Sequence, residues 1–139
     1  MNTTDPTTVA TRSKYLKGVI LKALEKSGDP NLINFKLHDF GYRGATGREA
    51  AAIGGAAHLT NFWGTDTHIG IELILDVYGP AFGGTGYPGH SIIASEHSTV
   101  TSWGHGNEAQ MVGDYLEKFP TGLIACVGDS EDKIGRAHV

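Results

Sequence analysis

The chain has a single cysteine among 139 residues, so no disulfide can close within it. Cys126 sits in the apolar run Leu123-Ile124-Ala125-Cys126-Val127 and is expected to be a buried, inert thiol, which fits a reducing compartment with the cytoplasm as the default location. Long apolar runs are also missing. None approaches the ~18 residues of a membrane span, and the threonine-rich stretch Met1 to Thr11 lacks the apolar core of a signal peptide. Excess positive charge is absent as well: eleven Lys and Arg against fifteen Asp and Glu give a net charge of −4, which speaks against nucleic acid or an anionic membrane as partner. A phosphate ligand would have to be held by local groups. Metal-ligand spacing is lacking, because His58, His68, His90 and His105 stand in no His-Glu-x-x-His or Cys-x-x-Cys pattern, and no protein-held transition metal is expected. Glycine is plentiful. The 20 glycines are about twice the usual ~7% share, and their dispersal among apolar runs points to turns and close backbone approaches.

The pattern along the chain reads as one α/β domain over residues 10–132, with a disordered lead-in over 1–9 that contains Pro6. Tyr15, Leu16, Val19, Ile20, Ala23 and Leu24 recur at helical spacing and Gly28 closes that helix. A short strand is expected over Phe35 to Phe40. Thr46 with Glu49 forms a capping box for a small-residue helix, and a second strand is expected over His58 to Trp63. Thr65 or Asp66 should cap the next helix, which ends at Gly79-Pro80. The segment Gly83-Gly84-Thr85-Gly86 lacks the Walker lysine and reads as a loop, not a phosphate cradle. A strand around Ser91 to Ser95, a helix capped near Asn107 and a buried strand over Leu123 to Val127 complete the series. Strand and helix in alternation predict parallel strands with crossover helices.

Three segments carry the chemistry: Leu37-His38-Asp39-Phe40-Gly41-Tyr42-Arg43-Gly44, Gly64-Thr65-Asp66-Thr67 and Ala94-Ser95-Glu96-His97-Ser98. Each puts a titratable or aromatic side chain at the end of an apolar run, where barrels and open α/β sheets keep their active sites. Taken by residue type alone, Phe40 is a core phenylalanine, Arg43 a solvated charge, Asp66 a helix cap and Glu96-His97 a surface pair.

In this order and spacing the segments resemble the middle of nicotinamide phosphoribosyltransferase, from about Tyr15 to Asp129, over well under half of that family's length. The resemblance implies a partial βα-barrel of the type II phosphoribosyltransferase kind, incomplete in this chain, since eight βα units take ~250 residues. It implies transfer of a phosphoribosyl group from phosphoribosyl pyrophosphate to nicotinamide, giving nicotinamide mononucleotide and pyrophosphate in NAD salvage, with Mg²⁺ on the pyrophosphate and stimulation by ATP. It also implies a homodimer with the active site at the interface.

By the same resemblance His97 is the catalytic residue, a transient phosphate acceptor from ATP. Phe40 stacks on the nicotinamide ring opposite an aromatic of a second subunit, and Asp66 accepts a hydrogen bond from the carboxamide. Arg43 and His97 face the pyrophosphate, His38 lines the same pocket as Arg43, and Ala94 and Asp129 belong to the substrate site. Two positions depart from the family pattern: Ala125 stands where a serine is common, and Glu131 where an aromatic residue is common. The rival readings are nicotinate phosphoribosyltransferase and a non-catalytic binding or dimerisation module of the same fold. The tail Lys133 to Val139 reads as a translated sequencing adapter, so the native sequence is expected to stop near Asp132 and this chain to be inactive alone.

Overall fold

In the computed structural model, residues 4–79, 86 and 88–127 are described. They form two compact units, divided between Ser91 and Ile92. The first begins with α1 (Thr4–Ser27), followed by a 3₁₀ helix (Pro30–Phe35), β1 (His38–Asp39), a 3₁₀ turn (Tyr42–Gly44), α2 (Arg48–Leu59), β2 (Gly64–Thr65) and α3 (His68–Tyr78). The second holds β3 (Ile93–Ala94), α4 (His97–Ser102), α5 (Glu108–Lys118) and β4 (Ile124–Ala125).

From Thr4 onward the expected disordered lead-in is helical. Pro6 lies in the first turn, where a missing N–H deprives the helix of nothing. The helix ends as expected, with the Gly28 amide bonded to the Leu24 carbonyl at 2.8 Å. Its inward face takes only part of the expected apolar set. Ser13, Lys17, Ile20, Leu21 and Leu24 turn inward, while Tyr15 stays 71% exposed with Leu16 and Val19 also exposed. Lys17 explains the rotation. Its ammonium donates to Asn34 Oδ1 at 2.7 Å and to the Asn61 carbonyl at 2.6 Å and lies 5.6 Å from the Phe62 ring centroid, so a cation and an aromatic fix the helix where aliphatic pairs were expected to.

Parallel pairing is found in both units. His38 and Asp39 pair with Gly64 and Thr65, and Gly64 bridges on to His90, also in parallel, with the Thr65 amide bonded to the His90 carbonyl at 2.9 Å. In the second unit Ile93 and Ala94 pair with Ile124 and Ala125. The strands are shorter than expected. Phe35 belongs to a 3₁₀ helix and only His38–Asp39 remains of the first strand, while His58 lies in α2 and the second strand starts at Gly64. The alanine-rich run of α2 continues helical through Leu59, as its propensity favours. Leu123 to Val127 narrows to Ile124–Ala125, and Cys126 is exposed, not buried; among the described residues the strand pairs only with β3. The Thr46–Glu49 capping box does not form, since Gly47 is the N-cap of α2 and no side chain bonds there. On α5, Met111 is buried but Leu116 and Phe119 are exposed.

The first unit's core gathers Ala51, Ala57, Leu59, Phe62, Ile69 and Ile74, where α2 packs on α3. That contact depends on two glycines. A Cβ at Gly70 would come within 2.7 Å of the Gly55 carbonyl carbon, so the two helices meet backbone to backbone. Among the described residues of the second unit, Val100 and Met111 are the buried apolar ones.

Candidate functional site

Strand alternation sends His38 and Phe40 to one side of β1 and Asp39 to the other. On the first side His38 Nε2 donates to Asp66 Oδ2 at 2.9 Å, and Ser91 Oγ donates to Asp66 Oδ1 at 2.5 Å. The main chain sets this up, because the Asp66 amide is bonded to the Asp39 carbonyl at 2.7 Å and places the carboxylate at the end of β2, next to that of β1. A Cβ at Gly64 would lie 2.7 Å from His38 Nδ1, so only glycine leaves the imidazole room to reach across to Asp66. Asp66 is not the cap of α3. Thr67 is the N-cap residue, and the Thr65 hydroxyl takes up its amide at 3.0 Å, which releases the carboxylate for other partners.

The Asp66 side chain is 50% exposed. Each of its oxygens has one of two acceptor positions engaged by His38 or Ser91, which leaves capacity for a further donor. Phe40 is 63% exposed, so the reading of it as a core phenylalanine fails, and its ring lies 6.1 Å from that of His38 at an interplanar angle of 28°. Arg43 sits on the 3₁₀ turn that follows, exposed, between Tyr42 and Gly44. Tyr42 in turn contacts the His68 ring at 5.3 Å. The structure therefore brings His38, Phe40 and Asp66 together and adds Ser91, which residue type alone did not single out. Only the parallel register of His90 on Gly64 places the next residue, Ser91, beside Asp66.

Beneath this group His58 is buried and stacks on Phe62 at 5.6 Å. Its Nε2 donates to the Gly64 carbonyl at 3.0 Å, so it supports the backbone of β2. Burial holds the imidazole below its ordinary value of 6.5, against the opposing pull of the Gly64 carbonyl and the Asp39 carboxylate. The unfolded chain takes up a proton near pH 6.5 and the folded one only at lower pH. The stability this group contributes is therefore complete above pH 6.5 and is lost as the pH falls from there through the folded value. The melting temperature should drop over that interval. His58→Gln, which keeps a donor for Gly64, should flatten the drop, and an unchanged acid limb would clear His58 of the role.

In the second unit Ala94 lies beside Ala125 in the parallel pair, both exposed. The next residue, Ser95, is buried; its amide bonds the Ala125 carbonyl at 2.9 Å and its hydroxyl accepts the Val127 amide at 2.7 Å. Glu96 caps α4 by accepting from the Ser98 amide at 2.7 Å and the Ser98 hydroxyl at 2.6 Å. His97 is the first residue of that helix, exposed immediately beyond the strand. Asp129, Glu131 and segment 133–139 lie outside the described residues, as does most of the glycine-rich segment 83–86.

Residues 35–136 match the model of the nicotinate phosphoribosyltransferase (NAPRTase) family. The chain belongs to that family. Among its relatives, the nicotinamide phosphoribosyltransferase of Xanthomonas campestris pv. campestris is 43% identical over 131 residues, covering 91% of this chain and 27% of the relative. The protein of the same name from Mycoplasma genitalium is 33% identical over 126 residues, covering 90% of this chain and 25% of the relative. That from Acinetobacter baylyi is 34% identical over 96 residues, or 68% of this chain and 18% of the relative. The family match spans all three chemistry-bearing segments, and the chain spans about a quarter of the first two relatives' length.

Proposed function

We propose that this chain supplies the nicotinamide-binding part of a nicotinamide phosphoribosyltransferase. The observation that carries the reading is Asp66, a half-exposed carboxylate fixed by His38 and Ser91 beside the exposed ring of Phe40. An electron-poor pyridine ring stacks well on a phenyl face. Its carboxamide NH₂ would donate to Asp66, whereas the carboxylate of nicotinate would be repelled. The pyridine nitrogen then attacks the ribose carbon of phosphoribosyl pyrophosphate as the bond to pyrophosphate breaks, and the exposed Arg43 meets that leaving group bidentately. Mg²⁺ supplies charge neutralisation on the pyrophosphate when bound. Pyrophosphate oxygens would be among its ligands.

The parallel ladder through His38, Gly64 and His90 and the β3–β4 pair support a partial βα-barrel. With nicotinamide on the exposed ring of Phe40, an aromatic of a second copy would cover the other side of the nicotinamide, as in a homodimer sharing the site. ATP would donate its terminal phosphoryl group to an imidazole nitrogen of His97, releasing ADP. Among the described residues no helix is long and apolar enough to cross a membrane.

The test is Asp66→Asn in the full-length enzyme. The preference for nicotinamide over nicotinate, as a ratio of kcat/KM values, should narrow about tenfold, the size of ~1.4 kcal/mol for a like-charge contact partly screened by water. A wild-type enzyme that turns over nicotinate as well as nicotinamide would refute the reading, and an unchanged ratio in the variant would remove Asp66 from recognition.

A further inference from the structure

Displacement at the ribose carbon fixes a spacing. The pyridine nitrogen arrives on one side of that carbon as pyrophosphate leaves on the other, so the group holding the carboxamide and the group meeting the pyrophosphate must stay in register. Asp66 and Arg43 stand on different connections, Asp66 between β2 and α3 and Arg43 on the 3₁₀ turn between β1 and α2. We propose that His68 is the positioning residue that joins the two, acting through the ring of Tyr42. The inference rests on the roles of Asp66 and Arg43 in the proposed function.

The turn that carries Arg43 keeps its own shape. Its Gly44 amide bonds the Gly41 carbonyl at 3.0 Å, the Ala45 amide bonds the Tyr42 carbonyl at 3.2 Å, and the Gly41 amide reaches back to Asp39 Oδ1 at 2.9 Å. These three bonds close the turn on itself and on the end of β1, and none of them runs to Asp66 or α3. The Tyr42 ring does reach α3, lying 5.3 Å from the His68 ring at an interplanar angle of 52°. Both ends of this contact adjoin the groups that need spacing. Tyr42 directly precedes Arg43, and the His68 amide is bonded to the Asp66 carbonyl at 3.0 Å. His68 also opens α3, just ahead of Gly70, where that helix meets α2 backbone to backbone, so the imidazole is mounted on a fixed support.

The contact is ring against ring, between a half-buried tyrosine and an exposed histidine. An aromatic pair is worth up to about a tenfold change in an equilibrium. That is enough to hold a short surface turn in place and too little to decide whether the domain folds. Its loss should loosen the turn and spare Asp66, which His38, Ser91 and the Asp39 carbonyl hold independently.

In the full-length enzyme, His68→Ala and His68→Gln should each raise the KM for phosphoribosyl pyrophosphate about tenfold and leave the KM for nicotinamide unchanged. KM does not depend on the fraction of enzyme that folds, so a loss of stability cannot imitate this split. His68→Phe, which keeps a ring and removes both nitrogens, should restore the wild-type KM. Tyr42→Ala should match His68→Ala, and the double variant should be no worse than either alone. Arg43→Ala tests the underlying reading. If it leaves the KM for phosphoribosyl pyrophosphate unchanged, Arg43 does not meet the pyrophosphate, and the role of His68 falls with that assignment. If Arg43→Ala raises this KM and His68→Ala does not, the role of His68 alone is overturned. It is overturned too if His68→Phe stays as impaired as His68→Ala, which would make the imidazole a polar ligand in its own right, if the effects of His68→Ala and Tyr42→Ala simply add, or if the KM for nicotinamide rises in step.

Discussion

Replacing His97 by alanine in the full-length enzyme is expected to abolish incorporation of phosphate from ATP, and with it any stimulation by ATP, while leaving some ATP-independent transfer. The imidazole is exposed at the start of α4, directly beyond β3, and its backbone is held from both sides. Ser95 ties the strand end to Ala125 and Val127, and Glu96 spends one carboxylate oxygen on the Ser98 amide and hydroxyl. The imidazole is thus carried outward at the end of a fixed strand. Phosphorylation would add about two negative charges at neutral pH, enough to change how pyrophosphate and Mg²⁺ are held. The structural cost of the substitution should be within about 0.5 kcal/mol, since the residue is exposed and alanine favours a helix. Acid-labile phosphate taken up from ATP, measured together with the melting temperature, separates the two effects. Continued uptake in the variant would end the phosphohistidine assignment, and so would a loss of activity that merely follows unfolding.

Much of the site could be read from residue order because its parts sit next to strand ends that short motifs mark. The step from His38 to Asp66 is a step between neighbouring parallel strands, and the alternation of strand and helix predicted that neighbourhood. What sequence order could not supply was register. Ser91 reaches Asp66 only because His90 pairs with Gly64, and no local pattern around Gly89-His90-Ser91 encodes that pairing. The capping errors have a similar origin. Asp66 has the right residue type for an N-cap, yet the Thr65 hydroxyl takes the local amide and leaves the carboxylate to partners far away in sequence. Likewise, Ile20 and Leu24 of α1 turn inward as its periodicity predicts, while Tyr15, Leu16 and Val19 stay exposed and the two hydrogen bonds of Lys17 with its ring contact to Phe62 take their place. Periodicity located the helices; long-range polar contacts decided which way they faced.

The glycines of α2 and α3 give the second large effect, and its sign distinguishes packing from propensity. Gly70 lies inside α3, so by helix propensity alone Gly70→Ala should stabilise the protein by about 1 kcal/mol. The structure demands the opposite. The added Cβ would fall 2.7 Å from the Gly55 carbonyl carbon, 2.8 Å from its Cα and 2.9 Å from the Ala56 nitrogen, and backbone atoms cannot turn aside as a side chain can. The helices would have to separate, opening the core around Ala51, Ile69 and Ile74 and displacing the β2–α3 turn that carries Asp66. Overpacking of this kind typically costs 1–3 kcal/mol, and the strain here falls on rigid main chain, so a net loss of about 2 kcal/mol is expected. Gly55→Ala meets the Thr67 methyl at 3.0 Å and the Gly70 Cα at 3.2 Å and should cost less. Gly18→Ala is the control, an exposed position within α1 where a Cβ meets nothing within 4 Å, and there the propensity gain should appear in full. Chemical denaturation of the three variants gives the comparison. If Gly70→Ala proves as stabilising as Gly18→Ala, the close α2–α3 crossing does not exist in solution, and the placement of Asp66 that depends on it falls as well.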